Sequence, residues 1–144
     1  MEQVTEEKKG SMNKIIIKSG YLETVVANKR FNEATDKVKG PTGYKLFRIL
    51  KKLHNEWEAY DKSRKKIVNM YAELDERGKP KIGNEENVVW KDGCLAKATE
   101  ELTELRSIDI TLNISPLDYN KKDMIDLSTN DLLILDPLMV NDEN

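Results

Sequence analysis

The chain has 144 residues, of which 38% are hydrophobic and 35% charged, with 24 Lys and Arg against 26 Asp and Glu. That length suits one domain and is too short for a two-domain enzyme, while the periodic apolar residues set it apart from a disordered polyelectrolyte. The single cysteine, Cys94, excludes an internal disulfide and a cysteine-built zinc site, and no apolar run approaches the roughly 20 residues of a membrane span.

Cysteine usage and the acidic, polar start MEQVTEEKKG, unlike a signal peptide, predict a protein of a reducing intracellular compartment. Met12 follows EEKKGS, whose purine-rich codons would resemble a bacterial ribosome-binding site ahead of a second start. Residues 1–11 are therefore expected to be a disordered extension, residues 12–140 a single domain, and residues 141–144 a frayed tail. The near-neutral total conceals a split: residues 1–72 hold 16 basic against 9 acidic side chains, a balance of +7, and residues 73–144 hold 8 against 17, a balance of −9. Such a split draws the two halves of one fold together or presents a basic face to an anion, and the first is the expectation.

The first element is NKIIIK at residues 13–18, where three β-branched residues between polar flanks predict a short strand. Leu22, Val25, Val26 and Ala34, with Phe31 nearby, then fall on one helical face, predicting a helix over residues 21–34. TDKVKGPTG at residues 35–43 breaks it. Next, Leu46, Leu50, Leu53, Trp57, Tyr60, Arg64, Ile67, Tyr71 and Leu74 recur in alternating steps of four and three, a heptad seam over residues 44–74 interrupted only by Arg64. A helix of about 30 residues would run about 45 Å, so it must pair with another helix of the chain or with a second copy. After a polar interruption, Leu95, Ala98, Leu102 and Leu105 predict a further helix over residues 92–106. The period then drops to two in SIDITLNIS, residues 107–115, which predicts a strand paired antiparallel with the first. Finally STNDLLIL carries Ser128 or Thr129 as N-cap and Asp131 in the first turn of a short helix that Pro137 limits. The fold class predicted is α+β: a long helix in a helical hairpin or coiled-coil-like packing, with a small two-stranded antiparallel sheet.

The interruption MYAELDERGKPKIGNEENVVW, residues 70–90, lacks the ligand spacing of a calcium loop and the glycine spacing of a phosphate cradle. It reads as a reversal between antiparallel helices, with a small hairpin over residues 81–90, and as a protruding contact surface. Asp75, Arg77, Lys79, Lys81 and Trp90 are its candidate partner contacts. Arg64 joins them, because a cation in an apolar seam either snorkels its stem over neighbours, pairs with a glutamate of the following helix, or sets the register of a two-chain contact.

No catalytic, cofactor-binding or metal-binding residue is assigned. His54 is the only histidine and, with Glu58, offers two ligands without a third. Cys94 stands alone at a helix start. Glu100, Glu101 and Glu104, like Asp118, Asp123 and Asp126, are read as solvated surface, since neither set has the contrast of environments that acid–base work requires. Arg48, Lys51, Lys52, Lys62, Lys65 and Lys66 make the long helix basic, but Trp57 and Tyr60 fall on the core stripe and not on the basic side, which disfavours nucleic-acid binding.

The order of elements, with NKIIIKSGYLETVV, MYAELDERGKPKI, KATEELTEL and IDITLNI, resembles a family of small phage and prophage proteins of uncharacterised function, from phages of low-GC Gram-positive bacteria. The resemblance spans residues 12–114 and extends toward STNDLLILDPL; it rests on patterns and a DERGKP-like turn, and it supplies no catalytic residue to carry over. It implies phage origin. The function expected is a non-enzymatic protein-interaction module, an accessory virion or assembly protein located in the host bacterial cytoplasm or the virion, with a phage structural or host protein as partner and self-association through the long helix. The alternatives are an inhibitor or modulator of a host or anti-phage defence enzyme, and a nucleic-acid-binding protein; no cofactor and no membrane partner are expected.

Overall fold

A computed structural model describes residues 13–140. The expected extension and tail, residues 1–11 and 141–144, lie outside the described residues. Strand β1 (Ile15–Lys18) pairs antiparallel with β2 (Asp109–Leu112), setting Ile15 opposite Leu112 and Ile17 opposite Ile110. The alternation of NKIIIK is realised directly: Ile15 and Ile17 are buried, whereas Ile16 is exposed on the other face. Both strands are shorter than the alternating runs suggest, because beyond Lys18 the contact continues as single bonds, from Ser19 N–H to the Ile108 carbonyl at 2.8 Å and from Gly20 N–H to the Arg106 carbonyl at 3.0 Å.

The single helix predicted over residues 21–34 is two, α1 (Tyr21–Val25) and α2 (Lys29–Thr35). Asn28 breaks it. Its backbone turns extended and its side chain accepts from Phe31 N–H at 3.0 Å, an N-cap, while the Asn32 amide donates to the carbonyls of Val25 (2.9 Å) and Val26 (3.3 Å), which a continuous helix would have bonded to backbone N–H groups. Leu22, Val25 and Phe31 reach the core in either arrangement, so the spacing of apolar residues does not reveal the break.

Helix α3 (Gly40–Tyr71) has 32 residues and is about 48 Å long. It starts earlier than the heptad seam suggests, since Pro41 in the first turn has no amide to lose there. It also ends before Leu74, which is exposed beyond it. Leu46, Ile49, Leu53 and Tyr60 are its buried residues, all in its first two thirds. Past Tyr60 the seam continues with half-buried Arg64, Ile67 and Tyr71, against which α4 (Leu95–Arg106) runs back toward the sheet. The partner of the long seam is thus this chain: α3 and α4 form a helical hairpin. Helix α4 begins at Leu95, three positions later than Asp92, after a turn with Gly93 at φ 76°.

Helix α5 (Thr129–Leu135) opens with a reciprocal cap, Ser128 Oγ accepting from Asp131 N–H at 3.1 Å and the Asp131 carboxylate accepting from Ser128 N–H at 3.0 Å. Pro137 ends it in a short 3-10 turn, Asp136–Leu138. The core gathers Ile15, Ile17, Leu22, Val25 and Phe31 with α3 as far as Tyr60, and the C-terminal segment closes it with Leu117, Met124, Leu127, Leu135 and Leu138. Burying each such side chain contributes about 1.5–3 kcal/mol. The molecule is therefore a core at one end of α3, from which the far part of α3 and α4 extend as a stalk.

Candidate functional site

Three side chains fix the stalk where it leaves the core. Glu23 of α1 accepts at Oε2 from the Tyr60 hydroxyl of α3 at 2.5 Å and from Arg106 Nε–H of α4 at 3.0 Å. Burial raises the Glu23 pKa, but the bonds from Tyr60 and Arg106 outweigh it and hold the carboxyl below its usual value. Burial first, and the bond to Glu23 second, push the Tyr60 hydroxyl up to about 12. Trp57 lies against Tyr60 with ring centroids 5.7 Å apart.

At the other end of the stalk, residues 71–91 fold into a small β lobe. Glu73 N–H donates to the Val89 carbonyl at 2.8 Å, Val89 N–H to Lys81 at 2.9 Å, and Lys81 N–H to Glu73 at 2.7 Å. The three bonds close a ring whose members stand eight residues apart, at 73, 81 and 89. Each side of the ring is prolonged by one more bond: Asp75 to Lys79 at 2.7 Å, Gly83 to Asn87 at 2.8 Å, and Lys91 to Tyr71 at 2.9 Å. The hairpin expected over residues 81–90 is one of three such sides, with antiparallel bridges Ala72–Trp90, Leu74–Pro80 and Ile82–Val88.

Because side chains two apart along a strand, and those directly opposite across it, share a face, the six bridge residues lie on one side of the lobe. All six are apolar: Ala72, Leu74, Pro80, Ile82, Val88 and Trp90. Ala72 is fully buried, whereas Leu74 and Ile82 remain 46% and 57% exposed, so this face is only partly covered. Between it and α3 runs an open groove of about 600 Å³, floored by Val68, Pro80, Ile82 and Val88 and edged by Arg64, Lys65 and Lys79. Lys79 is in no ion pair among the described residues; Arg64 and Lys65 share the carboxylate of Asp61, at 2.5 and 2.9 Å. Those two cations hold the Asp61 carboxyl below its usual pKa.

The predicted contact residues divide in this structure. Arg64 pairs with Asp61 of its own helix and not with a glutamate of α4; its guanidinium sits over Trp57, 5.6 Å from the ring centroid, and its Nε is buried with no acceptor. The Asp75 carboxylate is occupied inside the turn, accepting from Arg77 N–H at 2.8 Å and Lys79 N–H at 3.0 Å, and Gly78 supplies the turn with φ 76°. Arg77 is exposed at the tip, and Lys81 belongs to the alternate, polar side of the lobe. Trp90 joins the apolar face. Lys79 and Arg64 alone reach the groove. Val68, Ile82, Val88 and Lys65 went unrecognised in the sequence, although the apolar pairs at 72 and 74, 80 and 82, and 88 and 90 repeat there at the same eight-residue interval.

His54 and Glu58 are exposed on α3, and half-buried Cys94 precedes α4. No group of three or more His, Cys, Asp and Glu converges among the described residues, and no described helix is long and apolar enough to cross a membrane. Comparison with protein-family models, curated proteins and solved structures returns no match to this chain.

Proposed function

We propose that the protein is a phage-encoded, non-enzymatic interaction module, an accessory virion or assembly protein acting in the host bacterial cytoplasm or in the particle. One observation carries the interaction reading: the apolar face of the lobe is left half-covered, with Ile82 57% exposed, at the end of the stalk away from the core. Apolar surface retained at such a position supports contact with another polypeptide. The phage assignment rests on the resemblance of NKIIIKSGYLETVV, MYAELDERGKPKI and IDITLNI to the phage and prophage family.

The test is particle association. Virions from an induced lysogen carrying the gene are banded on a density gradient and probed for this chain, which is expected in the particle band or with assembly intermediates at a fixed ratio to a major structural protein. Its absence from every particle fraction, together with stoichiometric retention of one host enzyme, would replace this reading with the inhibitor of host or defence functions.

A further inference from the structure

The groove beside α3 has a chemistry that defines what fits it. Its floor is hydrocarbon and three cations edge it, two of which, Arg64 and Lys65, share the carboxylate of Asp61 outside the lining. Lys79 adds a charge with no ion-pair partner among the described residues. The volume, about 600 Å³, lies within the about 300–1,000 Å³ of clefts that take up a ligand of small-molecule size.

We propose that this groove docks an acidic, apolar segment of a partner protein, its hydrocarbon side chains on Val68, Pro80, Ile82 and Val88 and its carboxylates on Arg64, Lys65 and Lys79. Charge complementarity selects that occupant. A basic segment would meet three cations offset by the single carboxylate of Asp61, and a neutral one would leave Lys79 unanswered. The proposal rests on the interaction reading above, and specifies its surface and its partner chemistry.

The experiment uses the full chain and three sets of fluorescein-labelled 12-residue peptides, each with central Leu, Ile and Phe, flanked by Asp and Glu, by Lys and Arg, or by Ser and Gln. Anisotropy is expected to give the acidic set an affinity about tenfold or more above the basic set, falling with added salt. Lys79→Glu and Ile82→Ser, both at exposed positions, should each abolish that preference while the circular dichroism melt stays unchanged. Equal binding of acidic and basic sets, binding indifferent to both substitutions, or no binding by any set would overturn the proposal. So would dimerisation by light scattering that Ile82→Ser removes, since the groove would then belong to a second copy. Particle association with failed peptide binding would discard the groove alone, whereas peptide binding without particle association would keep the groove and discard the virion role.

Discussion

Glu23 is a half-buried carboxylate whose two donors come from two different helices, Tyr60 of α3 and Arg106 at the end of α4. Because its pKa is held down in the folded chain, its contribution to stability is fully present above the unfolded carboxyl value and is lost as pH falls through the folded one. Asp131 behaves alike: burial raises its pKa, but the cap with Ser128 and the Arg30 ion pair at 3.0 Å lower it on balance. Glu23→Gln or Asp131→Ala is expected to cost about 1–2 kcal/mol at pH 7, allowing for the partial exposure of Glu23. In urea titrations repeated at successively lower pH, the gap from the wild type should narrow as each carboxylate is protonated in the folded chain. The opposite limb belongs to Tyr60, whose absorbance change at alkaline pH should have a midpoint near 12 and disappear in Tyr60→Phe. A different constraint acts at Gly43, inside α3, where an added Cβ would stand 2.4 Å from the Val38 carbonyl oxygen. Helix propensity favours alanine by about 1 kcal/mol, but backbone cannot retreat as a side-chain tip can. Gly43→Ala should therefore be destabilised by about 1–3 kcal/mol in thermal melts.

At the scale of elements, periodicity identified what periodicity can. The strands and the long helix repeat their apolar residues over enough turns or alternations to be read directly, and the seam of α3 is buried where Leu46, Leu53 and Tyr60 mark it. The α1–α2 break was illegible because it is made by polar side chains, Asn28 and Asn32, bonding to backbone, without moving any apolar residue to a new face. The lobe is legible only in its hairpin over residues 81–90; the other two sides each contribute only two apolar residues, too few for alternation to stand out among charges, and the pairing that unites all three is not local. Of the contact residues, Arg64 stands out as the one charge in the seam, and its partner Asp61 is the one acid three or four residues away on the same helix, a closer pairing than the expected glutamate of α4. The lobe also lacks a buried core of its own, Ala72 being its one fully buried residue, so its order depends on backbone bonds and the Asp75 turn. Asp75→Ala is expected to speed amide exchange at Arg77, Lys79 and Lys81 by tenfold or more, corresponding to about 1.4 kcal/mol of local opening. The global melting midpoint should hardly move, as those amides are far along the chain from the buried cluster.

For the whole molecule, the arrangement separates what keeps the chain folded from what it presents. The buried cluster draws on both chain ends of the described residues, β1 at one and Leu135 and Leu138 at the other, and on α3 only as far as Tyr60. Substitutions at exposed groove positions such as Lys79 and Ile82 should thus fall within about 0.5 kcal/mol of the parent, while Leu53→Ala in the cluster should cost about 2–5 kcal/mol. Denaturant titrations of the two kinds of variant would measure the contrast. The basic first half and acidic second half meet in this plan at few places, Lys18–Asp109 and Arg30–Asp131 among them, while Arg106–Glu23 joins the halves with the signs reversed, so much of the opposite charge is left on the surface.

The bond at the root of the lobe, from Lys91 N–H to the Tyr71 carbonyl at 2.9 Å, has a topological corollary. Entry and exit of the intervening residues are neighbours, so that stretch is a cassette: a tight two- to four-residue connector could bridge its roots and leave the remainder of the polypeptide unaware of the excision. By the same token, a foreign recognition module with closely spaced ends could be grafted in its place, and a lineage could change its binding target by exchanging this one insert.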